Sequence, residues 1–128
     1  MLKLRVVPLL LALTVGACHG GPTAIDTARV RVDKVSDGIR IENLTDRGMG
    51  YFLADQDALP VLFWGPCTTT TPACLRLPAH SAVTVQFADI VAYSTSTKSV
   101  AAYTWWVVDN GNGGLTADLD TPAIIKLQ

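Results

Sequence analysis

Three cysteines carry most of the reactive chemistry of this 128-residue chain, and they divide into one and two. Cys67 and Cys74 flank a Thr-rich hexapeptide, while Cys18 stands apart, directly after Val15-Gly16-Ala17. A metal site at Cys67 and Cys74 would need further ligands, yet the chain has only two histidines, His19 and His80, and His19 lies beside Cys18. The C-x6-C spacing also fits neither half of a zinc ribbon nor a C-x-x-C redox pair. A local disulfide is therefore expected between Cys67 and Cys74. In the chain-entropy model, closing so short a loop stabilises a domain by roughly 2–3 kcal/mol. Such a bond implies an oxidising compartment, where an unpaired Cys18 thiol needs another fate.

The remaining polar candidates are weaker. His80 is the one histidine of the body, and Ser81 follows it, but no nucleophile signature surrounds the pair, so no catalytic residue is expected. Asp109-Asn110-Gly111-Asn112-Gly113-Gly114, with Asp118 and Asp120 beyond it, is rich in oxygen ligands, but the spacing misses the EF-hand and glycine-repeat patterns. A hairpin turn is the expected use of that run. A copper centre of the cupredoxin kind needs two His, a Cys and usually a Met, and beyond residue 17 the chain has Met49 alone, so no metal or other cofactor is expected. Asn43-Leu44-Thr45 matches a glycosylation sequon.

The N-terminal segment is organised as an export signal. Lys3 and Arg5 form a positive start, residues 6–15 an apolar run, and Gly16 and Ala17 a small-residue approach to a cleavage point. A helix crossing a bilayer needs about 20 apolar residues, so the run is too short to span. The segment 15–18 resembles the lipobox of bacterial lipoproteins, with Val15 where Leu is favoured and Gly16 where Ala or Ser is favoured. That resemblance implies diacylglyceryl attachment to the Cys18 thiol, cleavage before Cys18, and usually acylation of the new amine. Two or three acyl chains hold a protein durably on a membrane. His19 replaces the Asp that retains enterobacterial lipoproteins at the inner membrane, so the resemblance points to the outer membrane. Val15-x-Ala17 also fits ordinary signal cleavage at the same bond, which would leave Cys18 as an unpaired thiol.

Residues 1–17 are thus expected to be a signal peptide, 18–26 a flexible Gly- and Pro-containing tether, and 27–128 a single domain. Without Lys3 and Arg5 the chain keeps eight basic against eleven acidic residues, a net charge of about −3. No basic patch suited to nucleic acid appears.

The body reads as strands. Residues 29–33 and 38–42 place Val30 and Val32, then Ile39 and Ile41, on one face with charges on the other. Residues 43–48 form a turn cluster and 49–54 a mixed strand. Residues 59–64 are dense in apolar side chains and read as a strand whose Pro60 argues for an edge or a start. Residues 75–77 read as a short strand. Val83, Val85 and Phe87 alternate inward against outward Thr84 and Gln86. Residues 100–108 are apolar on both faces, as suits a central strand covered on each side. Residues 116–127 form a last strand or two short ones broken by Pro122.

Seven or eight short strands with regular turns predict an all-β sandwich. Residues 38–52 (GIRIENLTDRGMGYF) resemble the B–C hairpin of immunoglobulin-like and fibronectin-like modules of bacterial envelope proteins. The later LPAHSAVTVQF resembles their L-x-P-G-x-S-x-T-V strand, with His80 in place of Gly. The resemblance implies an immunoglobulin-like antiparallel sandwich and names no activity. Trp64, Trp105 and Trp106 are the heaviest side chains available for a core or for a candidate contact surface. Adjacent strand residues face opposite ways, so one of Trp105 and Trp106 should enter the core while the other lies under a loop or in an exposed aromatic patch. The expected function is that of a lipid-anchored envelope protein, not an enzyme, whose module contacts another envelope protein or a glycan. The alternative is a periplasmic inhibitor or small-ligand binder that presents its loops.

Overall fold

The computed structural model describes residues 24–128. The predicted signal peptide, Cys18 and most of the tether lie outside the described residues. Eight strands run in order: β1 Ala24–Asp26, β2 Val30–Lys34, β3 Gly38–Asn43, β4 Gly50–Asp55, β5 Ala82–Gln86, β6 Ser99–Asp109, β7 Leu115–Leu119 and β8 Ala123–Lys126. They form two antiparallel sheets, β1-β2-β3-β5 and β4-β6-β7, with β8 also paired to β6. The fold is an all-β, sandwich-like one.

Alternation selects the inward faces. Val30, Val32, Ile39 and Ile41 of the first sheet meet Leu53, Val100, Ala102, Trp106 and Ile125 of the second. Asn43 is the one polar side chain among the largest fully buried ones. Its Oδ1 accepts from the Thr45 N–H and hydroxyl, and its Nδ2 lies 2.6–3.2 Å from the carbonyls of Arg47, Leu77 and Pro78. A buried amide is tolerable only when satisfied in this way. The burial also explains why the sequon match at Asn43 offers no open acceptor.

β6 is the spine of the second sheet. β4 flanks it on one side, while β7 and β8 follow one another along the other side. Leu119 pairs with Trp105 and Ala123 with Ala102, so residues 120–122 stand opposite only Tyr103 and Thr104. Asp120 N–H still donates to the Thr104 carbonyl at 3.0 Å, which places the extra residue at Thr121–Pro122. Such a bulge suits Pro122, which has no N–H for a ladder. The glycine-rich run 109–114 forms the β6–β7 turn, with Gly111 at φ 82° and Gly113 at φ 78°.

Four expectations need correction. Ala24–Asp26, the end of the predicted tether, is a strand paired with Asp33, Val32 and Arg31, because an edge strand of three residues is too short to show a period. Residues 59–64 are not a strand. Asp55 accepts from the Asp57 N–H and starts a 3₁₀ turn, Gln56–Val61, that contains Pro60. The segment continues in extended form from Leu62 without a ladder partner. Residues 75–77 contribute only a bridge, Leu77 to Met49, because Cys74 and Leu75 donate back to the Thr71 carbonyl. Residues 38–52 are not a hairpin: β3 and β4 belong to different sheets, and the turn between them crosses the core.

Candidate functional site

Of the candidate residues, Trp64, Trp105 and Cys74 gather on the outer face of the second sheet. There β4 and β6 present Phe52, Tyr103, Trp105 and Val107 away from the inter-sheet core, and residues 56–77 fold across them as a third layer. Apolar side chains on both faces of β6 make this layer necessary, since a sheet face carrying Trp105 and Val107 must be shielded from water.

Four contacts hold the layer. A disulfide joins Cys67 and Cys74, whose Cα atoms are 5.8 Å apart, and Cys74 is buried beneath it. The Trp105 indole N–H donates to the Cys67 carbonyl at 3.0 Å, tying the bridged loop to the sheet. Trp64 supplies the apolar anchor, stacked on Phe52 with ring centroids 4.4 Å apart and tilted against Tyr103 at 4.6 Å. Arg76 closes the far side, its guanidinium over the Tyr51 ring and donating to the Tyr51 carbonyl at 2.8 Å.

The layer turns alternate residues outward. Leu62 and Trp64 are half-buried, Trp64 against the sheet, whereas Val61 and Phe63 are 85% and 107% exposed. They are the most exposed large apolar side chains among the described residues. Residues 68–73, between the cysteines, are exposed as well.

Of the two arrangements expected for the tryptophans, the structure has the one with a core residue and a residue under a loop, not the exposed aromatic patch. Trp105 and Trp106 do face opposite ways, but both are buried, at 5% and 3% exposure. Trp106 lies in the inter-sheet core, donates to Thr45 Oγ1 at 3.0 Å, and carries the Arg29 guanidinium 3.7 Å over its ring. Trp105 lies under the loop, and Trp64 is half-buried with it. The surface that this cluster supports is made by Val61 and Phe63, which the strand reading of residues 59–64 concealed. The segment is apolar throughout, so its sequence carried no signal of which side chains turn outward.

Other polar candidates are occupied by structure. The Ser81 hydroxyl donates to the Pro78 carbonyl, while exposed His80 contacts exposed Asp46, so the two do not act on each other. Asp109 Oδ1 and Asn110 Oδ1 accept from the turn's own N–H groups at Gly111, Asn112 and Gly114. Asp118 and Asp120 each accept from Arg29 at 2.8 Å. Among the described residues no group of three or more His, Cys, Asp or Glu side chains could hold a metal ion. None of their helices is long and apolar enough to cross a membrane.

Comparison with protein-family models, with curated proteins and with solved structures finds no match to this chain.

Proposed function

We propose that this chain is a lipid-anchored protein of the bacterial cell envelope, held at the outer membrane through Cys18. Its immunoglobulin-like sandwich serves as a non-enzymatic interaction module. The observation that carries the reading is the pairing of Cys67 with Cys74, which leaves Cys18 as the odd thiol at the end of an export signal. The strand orders β2-β3-β5 and β4-β6-β7 support the immunoglobulin-like assignment, because they follow the A-B-E and C-F-G paths of that fold. The outward pair Val61 and Phe63, on a layer braced by a disulfide, is the surface on which an envelope protein or glycan would dock.

Mass spectrometry of the mature N-terminus, combined with membrane fractionation, tests the address. A chain beginning at an acylated Cys18 in the membrane fraction is the expected result, and an uncut or unacylated soluble chain refutes it. For the module, Val61→Ser with Phe63→Ser should lower recovery of envelope partners in a cross-linked pull-down while leaving the thermal midpoint in place.

The exposed segment 68–73, closed by the disulfide, favours a second reading as a loop-presenting inhibitor. A rigid exposed loop loses little entropy on entering a protease cleft. Inhibition across a protease panel, abolished when residues 68–73 are replaced, would select that reading.

A further inference from the structure

The outer edge of β7 has the geometry of a self-pairing strand. In an antiparallel ladder each residue points both its N–H and C=O toward the same neighbour, and successive residues alternate between neighbours. The bonds from Asn110 N–H to Gly114 C=O and from Asp120 N–H to Thr104 C=O fix the phase: Gly114, Thr116, Asp118 and Asp120 bond toward β6. Leu115, Ala117 and Leu119 therefore direct their backbone groups away from β6, and among the described residues no strand pairs with that side. On one face of β7 lie the side chains of Leu115 and Leu119, 49% and 42% exposed, with Ala117 half-buried between them.

We propose that β7 pairs antiparallel with β7 of a second copy of this chain, about a two-fold axis at Ala117. The segment Leu115-Thr116-Ala117-Asp118-Leu119 is self-complementary in that register. Leu115 meets the partner's Leu119, Ala117 meets the partner's Ala117, and Thr116 meets the partner's Asp118. The leucines of both copies then join on one face, beside Trp105 and Val107, and no like charges stand opposite one another. All three pairs of outward backbone groups are satisfied. The ladder stops at the bulge, where Thr121–Pro122 breaks the regular alternation of the strand.

The other edges lack this combination. The outer edge of β4 is already bridged near both ends, through Met49 with Leu77 and Ala54 with Val91. β1 has only three residues, and Arg31 of β2 pairs with Asp26 on it. The outward residues of β5 are Ala82, Thr84 and Gln86, which bring little apolar surface to a partner.

Single-cysteine cross-linking on the full chain, purified in detergent, tests the register. In a hydrogen-bonded antiparallel pair the Cα atoms are about 5.5 Å apart, within disulfide range. Ala117→Cys should give a reducible dimer under mild oxidation, at least ten-fold above Thr84→Cys and above the unsubstituted chain, which measures any background from Cys18. Adding Leu115→Lys and Leu119→Lys should abolish that dimer without lowering the thermal midpoint, since both side chains are exposed. Cross-linking no greater than that of Thr84→Cys, or unaffected by the lysines, overturns the proposal. So does sedimentation as a monomer up to about 0.5 mM, where even a small contact of this kind should be populated.

Discussion

Gly50 stands opposite Trp105 in the register of β4 and β6, and the indole lies directly over its backbone. A Cβ built at Gly50 would come 2.3 Å from Trp105 Cε2, and Trp105 is the residue that ties the sheet to the Cys67 carbonyl. Gly50→Val should therefore move the indole, break that hydrogen bond and loosen the outer layer. The expected cost is at least the 1–3 kcal/mol typical of overpacking, read by urea unfolding, with a red shift in tryptophan emission.

Opening the Cys67–Cys74 bridge should destabilise the domain by about 2–3 kcal/mol, the chain-entropy value for a loop of this size. Cys67→Ser with Cys74→Ser tests this by chemical denaturation. Reduction of the native protein should produce the same change, and the far-ultraviolet strand signal should persist because the bridge lies outside both sheets.

Asn43→Ala should be among the most damaging single changes. The amide serves the Thr45 N–H and hydroxyl and approaches three carbonyls at the crossing from one sheet to the other. Removing it leaves buried groups unpaired, each costing about 1–3 kcal/mol. Loss of the cooperative thermal transition, or a midpoint lowered by about 10 °C or more, is expected.

Arg29 joins the two sheets through its stack on Trp106 and its bonds to Asp118 and Asp120, all at a partly exposed position. A cation–π contact contributes about 0.5–1 kcal/mol and exposed ion pairs less than that each. Arg29→Ala should cost about 1–2 kcal/mol in urea unfolding. Lysine should restore less than half, because an ammonium cannot lie flat on the indole while reaching both carboxylates.

Where two faces differ in polarity, the pattern in the chain was sufficient. Val83 and Val85 alternate with Thr84 and Gln86, and β5 forms there with the valines inward. The doubly apolar run around Trp105 and Trp106 became the covered central strand β6, and the glycine-rich run became its turn. Residues 59–64 misled because a dense apolar run reports that side chains meet an apolar surface, not whether the backbone has a ladder partner. Trp64 does face a sheet, but it lies on top of it. Parity separated Trp105 from Trp106 and left open whether the second lies under a loop or in an exposed patch; the disulfide-closed loop that covers Trp105 decides for the first. The exposed Val61 and Phe63 followed from that missing layer.

The additional residue at Thr121–Pro122 has a consequence for everything that follows it. Before it, odd-numbered side chains such as Leu119 point to the exterior of the second sheet, and after it odd-numbered Ala123 and Ile125 point to the interior. One continuous stretch of chain thereby serves two sides of the same sheet. Deleting Thr121 would leave Asp120 and Pro122 opposite Thr104 and Tyr103, so the ladder would run on without a bulge and Ile125 would keep its inward place opposite Val100. The bulge thus absorbs one surplus residue at an exposed position, and its loss would leave the inward side chains of the final strand where they are.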